Sequence, residues 1–288
     1  MGANRIGEIE SLCEICQPNS GLITNIGKAH LEGFGSFEGV IQEKSELYHY
    51  LMTNQKEIYV NGADEILMNL LGAYKNCIYY NDLSGLCDGK LNESDEGLKL
   101  ELIHDQVHTP ILTKLYGKYN LNNILAAACV GFKFNLSSEQ IKEGIEQYQP
   151  KNQRSQLIHS GSAKLLLDCY NANPTSMRES IISFLEFPSK KKIVILGGMK
   201  ELGPFTEEEH KKVGELLENA EMDHIFLIGK EFASALPGKA IHLINVSELA
   251  EKLKNIDLSD TAILVKGSRA NQLEQVQKII FPYQPENN

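Results

Sequence analysis

Apolar residues fall into two rhythms along this chain. Short unbroken blocks at 57–61 (EIYVN), 77–80 (CIYY), 165–168 (LLLD), 193–196 (IVIL), 225–228 (IFLI), 241–244 (IHLI) and 262–265 (AILV) have the length of buried strands. Between them apolar positions recur every three or four residues. That spacing predicts helices over 36–52, 65–74, 121–133 and 138–148, and others beginning near Pro174, Glu207, Glu231, Val246 and Ala270. Ser36 stands where an N-cap belongs, while Ser137 with Gln140, and Thr206 with Glu209, have capping-box spacing. Residues 21–27 (GLITNIG) read as a short strand running into a loop, 82–96 (DLSGLCDGKLNESDE) as a polar loop, and 98–103 with 109–115 as a hairpin. Strand and helix alternate, so the fold class is α/β, and the later part has the look of a mostly parallel, Rossmann-like sheet. The pattern breaks around 149–154 (QPKNQR), which sets a boundary between a first domain, 1–150, and a second, 151–288.

The length of 288 residues agrees with two domains at roughly 150 residues each. With 38 acidic against 28 basic residues the net charge is −10, which argues against nucleic acid as the main partner and leaves room for a local nucleotide pocket. No apolar run approaches the ~18–20 residues of a membrane span, and MGANRIGEIE lacks the apolar stretch of a signal peptide, so a cytoplasmic location is expected. The six scattered Cys fit a reducing compartment. Cys13 and Cys16 form a CxxC without a second ligand pair and read as ordinary helix thiols; the Asn92-Glu93-Ser94 triplet has no secretory context.

Four clusters carry candidate chemistry. Thr24-Asn25-Ile26-Gly27-Lys28-Ala29-His30 follows a strand, where α/β proteins keep their sites. On the next helix Val40, Lys44, Leu47 and Leu51 share one apolar face. Desolvation there favours the neutral amine of Lys44, which can take up carbon dioxide as an anionic carbamate; beside the His30 imidazole this makes an oxygen-rich seat for Mg²⁺. Spacing alone favours the plainer reading, a lysine snorkelling to the surface and a histidine satisfied by its neighbours. Asn120 and Asn123 lie one turn apart at a helix start, suited to a phosphate or polar heterocycle, or to simple capping. Asp168 ends a buried strand, well placed for ribose hydroxyls, with Asn173-Pro174 as N-cap and N1 of the helix that follows and Arg154 able to meet a phosphate. Gly197-Gly198-Met199 and Lys266-Gly267-Ser268-Arg269 both follow strands; Lys266 and Arg269 are anion ligands or solvated loop charges. There is no GxGxxG and no GxxxxGK[ST]: Gly21 to Lys28 has one residue too many between its glycines, and Ala29 replaces the hydroxyl.

The phrases MGANRIGEI, TNIGKAHLEGFGSFEGVIQEKSEL, YGKYNLNNILAAA, LLLDCYNANPTSM, GGMKELG and LVKGSRA, taken together and in this order, resemble the Mur ligase family, in the branch that adds D-alanyl-D-alanine to UDP-N-acetylmuramoyl tripeptide. The sister branches' DNPR is missing, and DCYNANP stands where a folylpolyglutamate-type ligase is expected to show DGAHNP. The resemblance implies part of a central ATPase domain followed by a Rossmann-like C-terminal ligase domain. It implies an amide ligase of peptidoglycan precursor synthesis in the bacterial cytoplasm, using ATP and Mg²⁺ and working through an acyl phosphate. By position, Lys44 matches the family's carbamylated lysine and His30 its Mg²⁺-binding histidine. Asn123, supported by Asn120, matches the adenine contact, and Arg154 and Asp168 the phosphate and ribose contacts. Tyr170, Asn171, Asn173, Ser176, Lys266, Ser268 and Arg269 lie on loops expected to face the incoming amine.

Three departures stand out. The family's GxHN reads Gly117-Lys118-Tyr119-Asn120, and its GDM reads Gly197-Gly198-Met199, which removes an acid from that loop. The chain also starts where the family would already have passed its N-terminal domain and P-loop, so the resemblance implies a fragment that is inactive alone and has the rest of the enzyme as partner. The competing readings are a non-catalytic nucleotide-binding or interaction module derived from a Mur ligase, and another member of the Mur/folylpolyglutamate superfamily.

Overall fold

A computed structural model describes residues 1–281 except 93 and 95, so Glu93 of the Asn92-Glu93-Ser94 triplet lies outside the described residues. The chain divides into two units, Met1–Thr113 with Lys118–Tyr148, and Lys114–Gly117 with the residues from Gln149 onward.

The first unit runs α1 (Glu8–Cys16), β1 (Ser20–Leu22), α2 (Leu31–Phe34), α3 (Phe37–Thr53), β2 (Glu57–Asn61), α4 (Glu65–Leu71), β3 (Cys77–Tyr80), β4 (Asp88–Asn92), β5 (Lys99–His104), β6 (Val107–Leu112), α5 (Asn120–Lys133) and α6 (Ser138–Gln147). β1, β2 and β3 form a parallel sheet in that order. Parallel neighbours need crossovers, which α3 and α4 supply. Ser36 caps α3, its hydroxyl accepting from the Gly39 N–H at 3.1 Å, and the helix buries Val40, Tyr48 and Leu51. From the same helix the buried Glu43 carboxylate accepts the Gly7 and Ile9 N–H groups at 2.7 and 2.9 Å, satisfying the start of α1. α5 packs on β2 and β3 through fully buried Leu125, Ala128 and Cys129. The Ser137–Gln140 capping box forms at α6.

The stretch 82–96 is not all loop. β4 pairs antiparallel with β5, Leu91 opposite Leu100, and Gly89 lets α5 approach: a Cβ there would lie 2.8 Å from the Leu125 side chain. Pairing and close packing make this strand, although Asp, Gly, Lys and Asn are poor strand formers. The β5–β6 hairpin turns on Asp105 and Gln106, both left-handed (φ +48° and +64°), so β6 starts at Val107 and not at 109.

The second unit runs β7 (Gln156–Ser160), β8 (Ala163–Asp168), α7 (Pro174–Leu185), β9 (Lys191–Gly197), α8 (Thr206–Glu218), β10 (His224–Ile228), β11 (Ala240–Leu243), α9 (Ser247–Leu253), β12 (Thr261–Lys266) and α10 (Gln275–Ile280). Its six strands lie in the order β11-β10-β9-β12-β8-β7, and only β7 is antiparallel. Leu165, Leu167, Ile193, Ile195, Phe226 and Val265 pack on one face of the sheet. The alternate residues Leu166, Val194, Leu196 and Leu264 are as fully buried, as a parallel sheet covered on both sides requires.

Near Glu231 and Ala270 the expected helices are single 3₁₀ turns, Lys230–Phe232 and Arg269–Asn271, and α10 begins only at Gln275. Gly229, at φ +107°, and the Pro237-Gly238 pair confine the first of them. The Thr206–Glu209 capping box does not form. A 3₁₀ turn, Gly203–Phe205, runs straight into α8; the Thr206 hydroxyl donates to the Gly203 carbonyl at 2.8 Å, and Glu209 pairs with Lys212. The strand order reverses around β12, which lies between β9 and β8, so Asp168, Gly197 and Lys266 come together at the carboxyl ends of their strands. In open α/β sheets this is where ligands bind.

Candidate functional site

In the first unit, Lys44 is half-buried on α3 and its Nζ donates to the Asn25 carbonyl at 2.9 Å. Burial holds its ammonium below the usual lysine value of 10.5. The amine therefore meets the loop that leaves β1. His30 stands five residues further along that loop, at the N-cap position of α2 with a left-handed backbone (φ +52°), its ring edge-on to Phe34 at 6.2 Å.

At the start of α5, Tyr119 takes the N-cap position, so Asn120 and Asn123 sit inside the first turn. The Asn123 amide donates to Asn120 Oδ1 at 3.2 Å, and Asn120 is buried. The sequence reading missed their supports. Asn81 donates to Asn61 Oδ1 at 2.9 Å and to Asn122 Oδ1 at 3.2 Å, a run of carboxamides joining the ends of β2 and β3 to the first turn of α5. The signal was present: EIYVN and CIYYN each lead a strand into an asparagine.

In the second unit, Lys266 lies directly opposite Asp168 in the β12–β8 register, and its Nζ donates to Asp168 Oδ2 at 2.6 Å. Lys266 is 2% exposed, so its charge is matched inside the fold. Asp168 Oδ1 also accepts the Ser155 N–H at 3.3 Å. Asn173 and Ser176 form the capping box of α7, with Pro174 at its first position, while Asn171 Oδ1 accepts from the Ala172 N–H. The buried Ser268 hydroxyl lies 2.9 Å from the Gly198 carbonyl and 2.7 Å from Asn271 Oδ1, tying the β12 loop to the β9 loop. Arg154 and Arg269 are exposed, and both guanidinium groups approach the Tyr170 ring, at 4.0 and 6.0 Å from its centroid.

Two further residues, neither of them expected from the sequence to serve a site, shape the β9 loop. Glu231 pairs with Lys200, and its carboxylate fills the space beside Gly198, where a Cβ would lie 2.5 Å from Glu231 Oε2. Burial raises this carboxyl's pKa, but the hydrogen bond and charge of Lys200, the backbone N–H of Glu231 itself and the nearby His210 together hold the group below the usual value. An acid is thus present at this loop after all, delivered from the adjacent strand. His210 is fully buried, its Nε2 accepting the Met199 N–H at 2.9 Å and its Nδ1–H donating to the Thr206 carbonyl at 2.6 Å. Only the neutral ring does both.

Burial lowers the His210 pKa from 6.5, more than the Thr206 carbonyl and the nearby Glu231 and Glu209 raise it. The unfolded chain therefore binds this proton first as pH falls. His210 gives its full stabilisation above pH 6.5, and each unit below that removes up to about 1.4 kcal/mol until the folded-state value is reached. Urea unfolding between pH 7.5 and 5 should show the loss in the wild type and not in His210→Asn; parallel curves would refute it.

Residues 1–131 match the Mur ligase middle domain, and 153–269 match the Mur ligase glutamate ligase domain. The chain is 30% identical over 291 aligned positions to the UDP-N-acetylmuramoyl-tripeptide--D-alanyl-D-alanine ligase of Bacillus subtilis, covering 96% of this chain and 62% of that protein. A crystal structure of MurF from Acinetobacter baumannii superposes with a TM-score of 0.84 at 29% identity, over 96% of this chain and 62% of that one. MurF ligase from Thermotoga maritima, solved in complex with ADP, shares the fold with a TM-score of 0.85 at 24% identity, over 97% of this chain and 65% of that one. The chain thus spans less than two thirds of the length of these relatives. Both matched domains, in this order, and the likeness over nearly all of its residues mean that the chain belongs to the Mur ligase family.

Proposed function

We propose that these residues form the adenosine-binding and amine-accepting part of an ATP-dependent amide ligase that joins D-Ala-D-Ala to UDP-N-acetylmuramoyl-tripeptide. The domains keep the boundary 150/151 in this reading, an ATPase part followed by a Rossmann-like ligase part. The observation that carries it is the convergence of Asp168, Lys266, Arg154 and Tyr170 at the switch point of the second sheet, in a chain whose curated relatives carry that ligase's name.

Asn123, oriented by Asn120, reads the adenine edge. Asp168, held in place by Lys266 and the Ser155 N–H, receives ribose hydroxyls. Arg154 meets a phosphate. The half-buried Lys44 amine, already shifted toward its neutral form, adds to carbon dioxide and releases a proton, leaving a carbamate. Among the described residues no group of three or more His, Cys, Asp or Glu gathers to hold a metal. His30 and the Lys44 carbamate together would offer two ligands, which suits Mg²⁺, an ion that keeps several waters and phosphate oxygens in its shell. Such an ion supplies charge neutralisation to the phosphates. The amine of the dipeptide displaces phosphate from the acyl phosphate of the tripeptide, forming the amide.

Phosphoryl transfer depends on positioning and charge neutralisation, and no GxxxxGK[ST] occurs in these 288 residues. By themselves they are expected to bind ATP more weakly than micromolar and to release negligible phosphate. Joined to the N-terminal portion of the Bacillus subtilis relative that precedes the aligned region, they are expected to release phosphate from ATP only when tripeptide and dipeptide are both present. Release indifferent to the dipeptide would overturn the reading.

A further inference from the structure

We propose that Asn81 is a positioning residue for the choice of base: through Asn122 its carboxamide fixes the helical turn of α5 from which Asn123 reads adenine, a role that rests on the function proposed above. The direction of each amide in the chain Asn61–Asn81–Asn122 follows from one backbone donor. The Ala63 N–H donates to Asn61 Oδ1 at 3.1 Å, which settles where the oxygen of this buried side chain lies. The same oxygen accepts from Asn81 at 2.9 Å, so Asn81 presents its nitrogen, and that nitrogen also donates to Asn122 Oδ1 at 3.2 Å. Flipping the Asn81 amide alone would bring oxygen against oxygen on both sides.

Position 81 asks for two properties at once. Its backbone is left-handed (φ +55°), a conformation that Gly, Asn and Asp accept most readily. Its side chain donates twice, which an aspartate cannot do and a glycine has no atoms for. Of the three, only asparagine meets both demands. The backbone beneath it is pinned as well. The Asn81 N–H donates to the Cys87 carbonyl at 2.9 Å and the Leu86 N–H to the Tyr79 carbonyl at 2.7 Å, closing a short loop that starts from the fully buried Tyr80.

The start of α5 uses this fixture in place of a cap. Ser36, Ser137 and Asn173 cap α3, α6 and α7 with their side chains, whereas Tyr119, the N-cap of α5, makes no side-chain cap bond. Further along, the fully buried Leu125, Ala128 and Cys129 hold α5 to the sheet. Its first turn carries Asn123, which is exposed and bonded to Asn120. Neighbouring residues stand about 100° apart around a helix, so a bond that stops Asn122 from rotating also sets the direction of Asn123. Aim matters here. A carboxamide tells adenine from guanine by meeting the N6 amino group beside N7, where guanine carries the acceptor O6.

The test is a titration of this chain with ADP and with GDP, followed through the backbone amide resonances of α5. The wild type should bind ADP more tightly than GDP. One neutral hydrogen bond is worth about two- to tenfold in an equilibrium constant. Asn81→Gly, which suits the left-handed backbone, and Asn122→Ala should each weaken ADP by that factor and leave GDP where it was. Asn122→Asp keeps an acceptor for Asn81 and should retain the preference for ADP. A merely structural role would weaken both nucleotides together. That result would overturn the proposal, as would an unchanged preference in Asn81→Gly or a loss in Asn122→Asp as large as in Asn122→Ala. A wild type that binds neither nucleotide would refute the adenosine-binding function itself, and the role of Asn81 with it.

Discussion

Asp168→Ala should destabilise the second unit by about 3–5 kcal/mol, because it leaves the ammonium of Lys266 buried without its carboxylate. Lys266 is 2% exposed and its bond to Asp168 joins two neighbouring strands at their carboxyl ends, where the two residues face each other in the β12–β8 register. The reverse change is milder. Lys266→Met leaves a carboxylate that still accepts the Ser155 N–H and whose side chain is 12% exposed, so water helps to carry its charge. The double variant Asp168→Leu with Lys266→Met removes both charges and keeps the volume, and should recover most of the loss, since apolar replacement of a buried pair is often neutral or stabilising. Urea unfolding reads all three as midpoint shifts at constant slope. A loss below about 1 kcal/mol for Asp168→Ala, or no recovery in the double variant, would mean that the pair is hydrated and worth little, as exposed pairs are.

This pair also marks how far the sequence could be read. LLLD and AILV announce themselves as buried strands, and an acid ending one of them is visible as a candidate. Lys266 looked like an anion ligand or a solvated charge because its partner lies 98 residues away and is supplied by strand adjacency, which no local pattern encodes. The same holds for β4 and β7, whose residues are ordinary loop formers or half-buried edge residues until a neighbour pairs with them. Helix starts were more legible where a side chain caps the first turn locally, as at Ser36, Ser137 and Asn173. At Thr206 a preceding 3₁₀ turn took over, and the expected cap became part of the helix. In the first unit the Asn120–Asn123 pair could be found from its spacing, whereas the Asn61–Asn81–Asn122 chain depends on three separate elements arriving together.

Gly198→Asp should cost about 1–3 kcal/mol by itself, a typical penalty for forcing atoms into filled space. A Cβ at this position meets Glu231 Oε2 at 2.5 Å and Glu231 Cδ at 2.9 Å, and the new carboxylate would also face a like charge. Backbone strain is not the cause, since Gly198 is absent from the residues with positive φ. Glu231→Ala alone clears the space and releases Lys200, whose side chain is 42% exposed, so its cost should stay near or below about 1 kcal/mol. Combined, the two changes move the acid from the β10 loop back to the β9 loop, with Lys200 close by to pair with it. The double variant should therefore be more stable than the sum of the single losses by about 0.5–3 kcal/mol, the range for residues in direct contact. Thermal unfolding of the four proteins at one pH gives the coupling directly. Additivity within about 0.5 kcal/mol would mean that Glu231 does not stand in for an acid at position 198. Positive coupling would show that the glycine and the glutamate are two halves of one substitution, which keeps a carboxylate at this edge of the sheet while changing the strand that delivers it.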